Sequence, residues 1–231
     1  MDSPIKEKSS GSDRGNKEKK HLVQSIRHLT DSVFVLRVDR HGVPAKAGQC
    51  CTVGVAGSGL NREYSLYSGS RDPYFEFLIK EVEGGRVSGS LKECRPGDPV
   101  ELDGPYGRFI LRKEEDKSRK YLFVATGVGI APFHGFVRSC PGLDYKLLHG
   151  VRRLDERYDM DAYEKGRYRS CVSLEEGGDF RGRVTGYLKA NPVELGTICY
   201  ICGGSRMVEE AFGILRSQGI DSDHLFTEVF F

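Results

Sequence analysis

The stretch Tyr121–Pro132, YLFVATGVGIAP, constrains this chain more than any other. It opens with a hydrophobic run, Tyr121–Ala125, of strand composition. Thr126-Gly127-Val128-Gly129 follows, a turn that only small residues make tightly. Pro132 then stands where a missing N–H is harmless, in the first turn of a helix that Phe133, Phe136 and Val137 mark by their spacing. Strand, glycine turn and helix together form an anion-binding arrangement, because bare backbone and free helical N–H groups can approach a phosphate. The glycines read G-x-G with no third glycine, so the dinucleotide fingerprint is incomplete. An ordinary tight strand-to-helix turn explains this stretch equally well.

The remainder of the chain decides between them. A length of 231 residues allows one large or two modest domains. No apolar run is long enough to cross a membrane, and the polar start MDSPIKEKSSGSDRG lacks the apolar stretch of a secretory signal. The seven cysteines are scattered and odd in number, which reads as reduced thiols. A cytoplasmic protein is the expectation. The net charge of +2 gives no reason to invoke nucleic acid. No nucleic-acid or membrane partner and no metal is expected, and the chain is taken as a monomer.

Residues 1–20 have the composition of a disordered tail. From 21 to 113 short alternating runs, such as Phe34, Leu36 and Val38, are punctuated by turns, which suggests a closed antiparallel barrel or a sandwich. One short helix, Arg86–Glu93, interrupts them. Lys113–Lys120 reads as an interdomain linker. From 119 to 231 the rhythm changes. Strand-like runs at Tyr121–Ala125, Tyr145–Leu148, Ser170–Leu174, Ile198–Ile201 and Leu225–Val229 alternate with helical segments, among them Ser205–Gln218. That alternation predicts a parallel sheet with helices on both faces.

Several stretches could carry chemistry. In Asn61–Ser68, NREYSLYS, strand alternation puts Arg62 and Tyr64 on one face. A guanidinium suits a phosphate, a tyrosine ring suits a planar ring system, and Ser65 can hydrogen-bond such a ring's edge. The plain alternative is a surface arginine beside a half-buried tyrosine. Gly85-Arg86-Val87-Ser88 offers a second glycine-to-helix turn, with a simple helix start as its alternative. Cys202-Gly203-Gly204-Ser205 repeats the strand–glycine–helix logic, and in a parallel sheet it would open on the same crevice as Gly127–Gly129. Cys199 and Cys202 form a C-x-x-C, but within one strand their thiols point to opposite faces, which argues against metal or redox use.

Taken in order, Arg62-Glu63-Tyr64-Ser65, Gly85–Ser88, Gly104–Gly107, Thr126–Pro132, His149–Arg152, Gly182–Thr185, Cys202–Gly204 and Glu228–Phe230 resemble the ferredoxin–NADP reductase superfamily, and within it the bacterial ferredoxin/flavodoxin–NADP reductases. The resemblance covers Leu22 to Phe231. It implies an N-terminal antiparallel flavin-binding barrel followed by a Rossmann-like parallel-sheet domain for the nicotinamide. The implied cofactors are FAD and NADP (NADPH), and the implied electron partner is ferredoxin or flavodoxin. The alternative is an NAD(P)H-dependent reductase component of an oxygenase, or a free-flavin reductase.

By the same resemblance Arg62 holds flavin phosphate, Glu63 binds the cofactor beside it, Tyr64 stacks on the isoalloxazine, and Ser65 lies near flavin N5. Leu78, Ile79 and Lys80 line the flavin, and Arg86, Val87 and Ser88 cradle its pyrophosphate. Thr126, Gly127, Gly129 and Pro132 sit at the domain junction. Arg152, Ser173 and Arg183 would hold NADP, with Gly203, Gly204 and Met207 on the other side of the crevice. Leu174 stands where the family carries an arginine after the serine, and Arg153 and Arg181 lie nearby as substitutes. Ser65, Glu228 and Phe230 are the implied catalytic residues, with Phe230 or Phe231 covering the flavin.

Overall fold

A computed structural model describes residues 20–112, 116 and 118–230. The expected tail up to residue 19, half of the expected linker (113–115 and 117) and Phe231 lie outside these residues. The described chain forms two lobes, each built on a six-stranded sheet.

The first lobe contains β1 (His21–His28), β2 (Val33–Asp39), β3 (Cys50–Val55), β4 (Arg62–Ser65), β5 (Tyr74–Lys80), α1 (Arg86–Lys92) and β6 (Pro99–Tyr106). All its strand pairs are antiparallel, in the order β4-β3-β6-β1-β2-β5. A bridge between Leu66 and Phe77 joins the two ends, so the sheet closes on itself as a barrel. Period-two alternation sends Phe34, Leu36, Val38, Phe75, Phe77 and Ile79 inward, where each is under 1 % exposed. Val87 and Leu91 of α1 plug the same interior.

The second lobe contains β7 (Tyr121–Thr126), α2 (Ala131–Ser139), β8 (Tyr145–Val151), β9 (Tyr168–Val172), β10 (Phe180–Arg181), α3 (Val184–Ala190), β11 (Ile198–Gly204), α4 (Ser205–Ser217) and β12 (Leu225–Phe230). Every pairing is parallel, in the order β10-β9-β8-β7-β11-β12. The order reverses between β7 and β11, which puts a crevice beyond their C-terminal ends. Helices cover both faces, as the alternating rhythm predicts. Ala131, Phe133 and Phe136 of α2 pack on one face, and Val184, Leu188, Val208 and Leu215 of α3 and α4 on the other. Cys199 and Cys202 fall into these two opposite layers, and all seven cysteines are free.

The layer under α2 belongs to both lobes. It combines Val33, Val35, Ala47, Tyr67, Leu78, Phe109 and Leu111 from the first with Phe123, Phe133, Phe136, Leu147 and Tyr200 from the second. Polar bonds reinforce it. Asp159, in the β8–β9 connection, takes two bonds from the Arg27 guanidinium (2.8 and 2.6 Å) and one from the Tyr67 hydroxyl (2.8 Å). Tyr67 also stacks on His134 of α2, at 3.7 Å between ring centres.

Candidate functional site

Two short strands from different lobes meet where the barrel faces the sheet. In β4, Arg62 pairs opposite Val53 and Tyr64 opposite Cys51, so the two share a face, as alternation requires. The Arg62 guanidinium is exposed and, among the described residues, donates to the neighbouring Asn61 carbonyl alone, at 2.8 Å. The Tyr64 ring is half-buried against the barrel core, and burial pushes its hydroxyl up to about 12. Glu63 is exposed and accepts a bond from the Tyr106 hydroxyl at 3.2 Å. Ser65 points the other way, is buried, and reaches β12, where its hydroxyl donates to Glu228 Oε2 at 3.1 Å.

Glu228 is held by β12, which lies in register with β11 so that Glu228 sits beside Cys202. The Cys202 thiol lies 3.9 Å from the same carboxylate oxygen. Burial raises the Glu228 carboxyl to about 7. The bonds from Ser65 and Cys202 oppose that rise, and the charge of Glu63 adds to it. A carboxyl of this kind, hydrogen-bonded to a serine, changes protonation near neutral pH. Phe230, opposite Gly204, is half-buried against the shared core layer.

The floor of the crevice is set by backbone proximity. A Cβ on Gly129 would come within 2.5 Å of the Cys202 carbonyl oxygen and 2.9 Å of Gly203 Cα. A Cβ on Gly203 would run into the Thr126 hydroxyl and lie 3.0 Å from Met207 Cε. These two glycines let β7 and β11 turn off their strands against each other. Gly127 (φ +53) and Gly204 have open space where a side chain would be, so both present bare backbone to the crevice. Pro132 is buried in the first turn of α2.

The Gly127 turn is held from beneath by His149, which is fully buried. Its Nε2 lies 2.9 Å from the Gly127 carbonyl and its Nδ1 2.9 Å from the Tyr168 hydroxyl. A carbonyl only accepts, so Nε2 carries the proton and Nδ1 accepts from Tyr168. Burial lowers this imidazole to about 4, which keeps it neutral. Sequence reasoning noted His149 only as part of a motif; its bonds join residues 19 and 22 positions apart.

Arg152 and Arg183, at the ends of β8 and before α3, are exposed and form no ion pair among the described residues. Ser173 donates to the Val151 carbonyl at 3.2 Å. Leu174 is 69 % exposed, an apolar side chain in the place where the resemblance implies a cation. The two substitutes expected for that cation are engaged elsewhere. Arg153 lies 3.8 Å from Glu175, and Arg181 bonds Glu176 at 2.8 Å.

On the barrel side, Ile79 and Val87 bury their side chains in the core, so only their backbone can meet a ligand. Leu78 is buried in the shared layer and Lys80 is exposed. The Glu76 carbonyl accepts from Tyr67 N–H on the side away from β2, and by alternation Leu78 and Lys80 turn their backbone groups to that same edge. Arg86 is exposed at the start of α1, and the buried Ser88 hydroxyl accepts from Val82 N–H at 3.0 Å, which leaves its proton free to donate.

These features fit a flavin nucleotide: an exposed guanidinium, a half-buried tyrosine ring, the Leu78–Lys80 end of a strand edge and a glycine-entered turn lie on one lobe. They belong to a known class. The family profile described as "Oxidoreductase FAD-binding domain" matches residues 18–110. The toluate 1,2-dioxygenase electron transfer component of Pseudomonas putida is 30 % identical over 225 residues, covering 90 % of this chain and 66 % of that protein. Ferredoxin–NADP reductase B of Sorangium cellulosum is 27 % identical, covering 88 % of this chain and 94 % of that one. In fold, the chain superposes on a ferredoxin NADP+ reductase from Neisseria gonorrhoeae with bound FAD and NADP, with a TM-score of 0.81 at 22 % identity, covering 92 % of this chain and 98 % of that one. The chain contains an FAD-binding oxidoreductase domain of the ferredoxin reductase family. It spans about two thirds or less of the length of the oxygenase reductase components it matches, and nearly all of the Sorangium reductase.

Proposed function

We propose that this protein is a ferredoxin/flavodoxin–NADP reductase, passing a hydride between NADP(H) and FAD and single electrons between FAD and a ferredoxin or flavodoxin. Residues 21–113 are assigned to the flavin and 119–231 to the nicotinamide. The observation that carries the reading is the 3.1 Å bond from Ser65 to Glu228, which draws the flavin-type strand β4 and the last strand β12 to one seam. FAD, when bound, supplies the hydride and one-electron chemistry. The chain's own residues orient and screen it.

In this reading Arg62 neutralises flavin phosphate, Tyr64 offers its open ring face to the ring system, and Ser88 donates its free hydroxyl proton to the pyrophosphate. Ser65 and Glu228 hold a hydrogen bond at the point of hydride exchange, and Glu228 can take or release a proton near neutral pH. Phe230 covers the face that the nicotinamide must enter. Arg152 and Arg183, whose guanidiniums have no carboxylate partner among the described residues, supply the charge for a 2′-phosphate, which supports NADPH over NADH. The exposed Leu174 weakens that preference relative to a site with a third arginine.

A second reading, a reductase component serving an oxygenase, is supported by the toluate dioxygenase component among the relatives. Anaerobic titration with NADPH and with NADH, followed by flavin absorbance, tests both. Rapid bleaching by NADPH, with an NADPH/NADH preference that falls about tenfold or more in Arg152→Ala/Arg183→Ala, is expected. An NADH preference in the parent protein, unchanged in the double variant, would overturn the NADP assignment. Rates with ferredoxin, flavodoxin and a ferredoxin-dependent oxygenase then separate the partners.

A further inference from the structure

The entrance to β1 and the exit of β2 bring together three side chains that none of the flavin or nicotinamide assignments use. These are His21, Asp39 and His41, and their candidate ligand atoms all lie within 4.8 Å of one another. Asp39 Oδ1 is 3.3 Å from His21 Nδ1 and 3.0 Å from His41 Nε2. Ligands of a tetrahedral zinc ion, with bonds of about 2.0–2.1 Å, stand about 3.3 Å apart along the edges of the tetrahedron. The two edges of the trio that meet at Asp39 therefore match edges of such a site, and the third, between the two imidazoles, is within 4.8 Å.

Among the described residues, Asp39 Oδ1 is sealed from solvent and makes no hydrogen bond. The nearest nitrogens aim their own protons elsewhere, His21 Nδ1 at the Asp39 carbonyl (2.8 Å) and His41 Nε2 at the Lys20 carbonyl (3.2 Å). Asp39 Oδ2 is occupied by Leu22 N–H at 3.1 Å, which fixes the carboxylate with Oδ1 turned into the trio. A buried, unpartnered carboxylate oxygen flanked by two imidazoles is costly without a counter-ion. The side chains are 12 %, 19 % and 28 % exposed for His21, Asp39 and His41, so the site is screened but reachable from solvent.

We propose that His21 Nδ1, Asp39 Oδ1 and His41 Nε2 bind one divalent transition-metal ion, zinc by preference, with water as fourth ligand. On binding, each imidazole moves its proton to its other ring nitrogen and the two carbonyl bonds are given up. Two histidines and a carboxylate suit zinc, and an open fourth corner is filled by solvent. The ion pins the start of β1 to the β2–β3 loop and stabilises the folded chain by mass action.

The test uses the full-length, tag-free, flavin-loaded protein after chelator treatment, titrated with Zn²⁺ by calorimetry and by competition with a chromophoric chelator. One equivalent of zinc should bind and the melting temperature should rise. His41→Ala, on an exposed loop, should lose about 100-fold in affinity while keeping the zinc-free melting temperature. Asp39→Asn should lose a similar amount. Cobalt in place of zinc should give the weak visible bands of nitrogen and oxygen ligands rather than thiolate charge transfer. Failure of the parent protein to bind, thiolate bands, or unchanged zinc affinity in His41→Ala would each overturn the proposal. None of these readouts depends on flavin reduction, so the outcome is separate from that of the reductase reading.

Discussion

Replacing Glu228 by glutamine should stabilise this protein at alkaline pH and leave it nearly unchanged in acid. The carboxyl stands at about 7 in the folded chain against 4.5 as its ordinary value, chiefly because it is buried. Each tenfold change in proton affinity is about 1.4 kcal/mol, so the ionised group burdens the folded state by about 3 kcal/mol. Below pH 4.5 both folded and unfolded chains carry the proton and the burden is absent. Between 4.5 and about 7 the unfolded chain releases its proton while the folded chain keeps it, and stability falls as pH rises. Above about 7 the deficit is complete and constant. A glutamine carbonyl can still accept the Ser65 hydroxyl but carries no charge. For a chain of this size about 3 kcal/mol corresponds to about 6–12 °C in melting temperature. Differential scanning fluorimetry of flavin-free protein from pH 4.5 to 8.5 should show the variant's advantage growing from near zero to that range. An advantage independent of pH, or a loss at pH 8, would refute the reasoning.

Two further outcomes follow from contacts described above. Gly129→Ala puts a methyl group against the Cys202 carbonyl, which is backbone and cannot swing aside; it should cost about 1–3 kcal/mol in urea unfolding and weaken nucleotide binding. Tyr67→Phe removes one of three bonds to Asp159, whose carboxyl burial would raise but Arg27 and Tyr67 hold below its ordinary value. It should lower stability by about 1–2 kcal/mol, and a change under about 0.3 kcal/mol would show that Arg27 alone carries the clasp.

Much of the fold was legible in the sequence because its signals are local. The run Tyr121–Ala125 is strand β7 with one residue added, and Ser205–Gln218 is α4 with one removed. Alternation at Phe34, Leu36 and Val38 marks the side chains that fill the barrel. The site was legible only in part. A glycine needed by a ligand and a glycine needed by a neighbouring strand look the same in sequence, and Gly129 turns out to be pressed against Cys202. Contacts between distant positions leave no local trace. The Ser65–Glu228 bond spans 163 positions, and the Arg27–Asp159 bonds span 132. The engagement of Arg153 and Arg181 by Glu175 and Glu176 was likewise hidden, since periodicity says nothing of which carboxylate a surface arginine will meet.

The apolar layer shared by the two lobes has a consequence for how the molecule comes apart. Neither half owns enough of that layer to keep it dry, so a chain severed near residue 115 would leave each fragment with an oily wound of phenylalanine and tyrosine rings. The halves should therefore melt together, in a single endotherm.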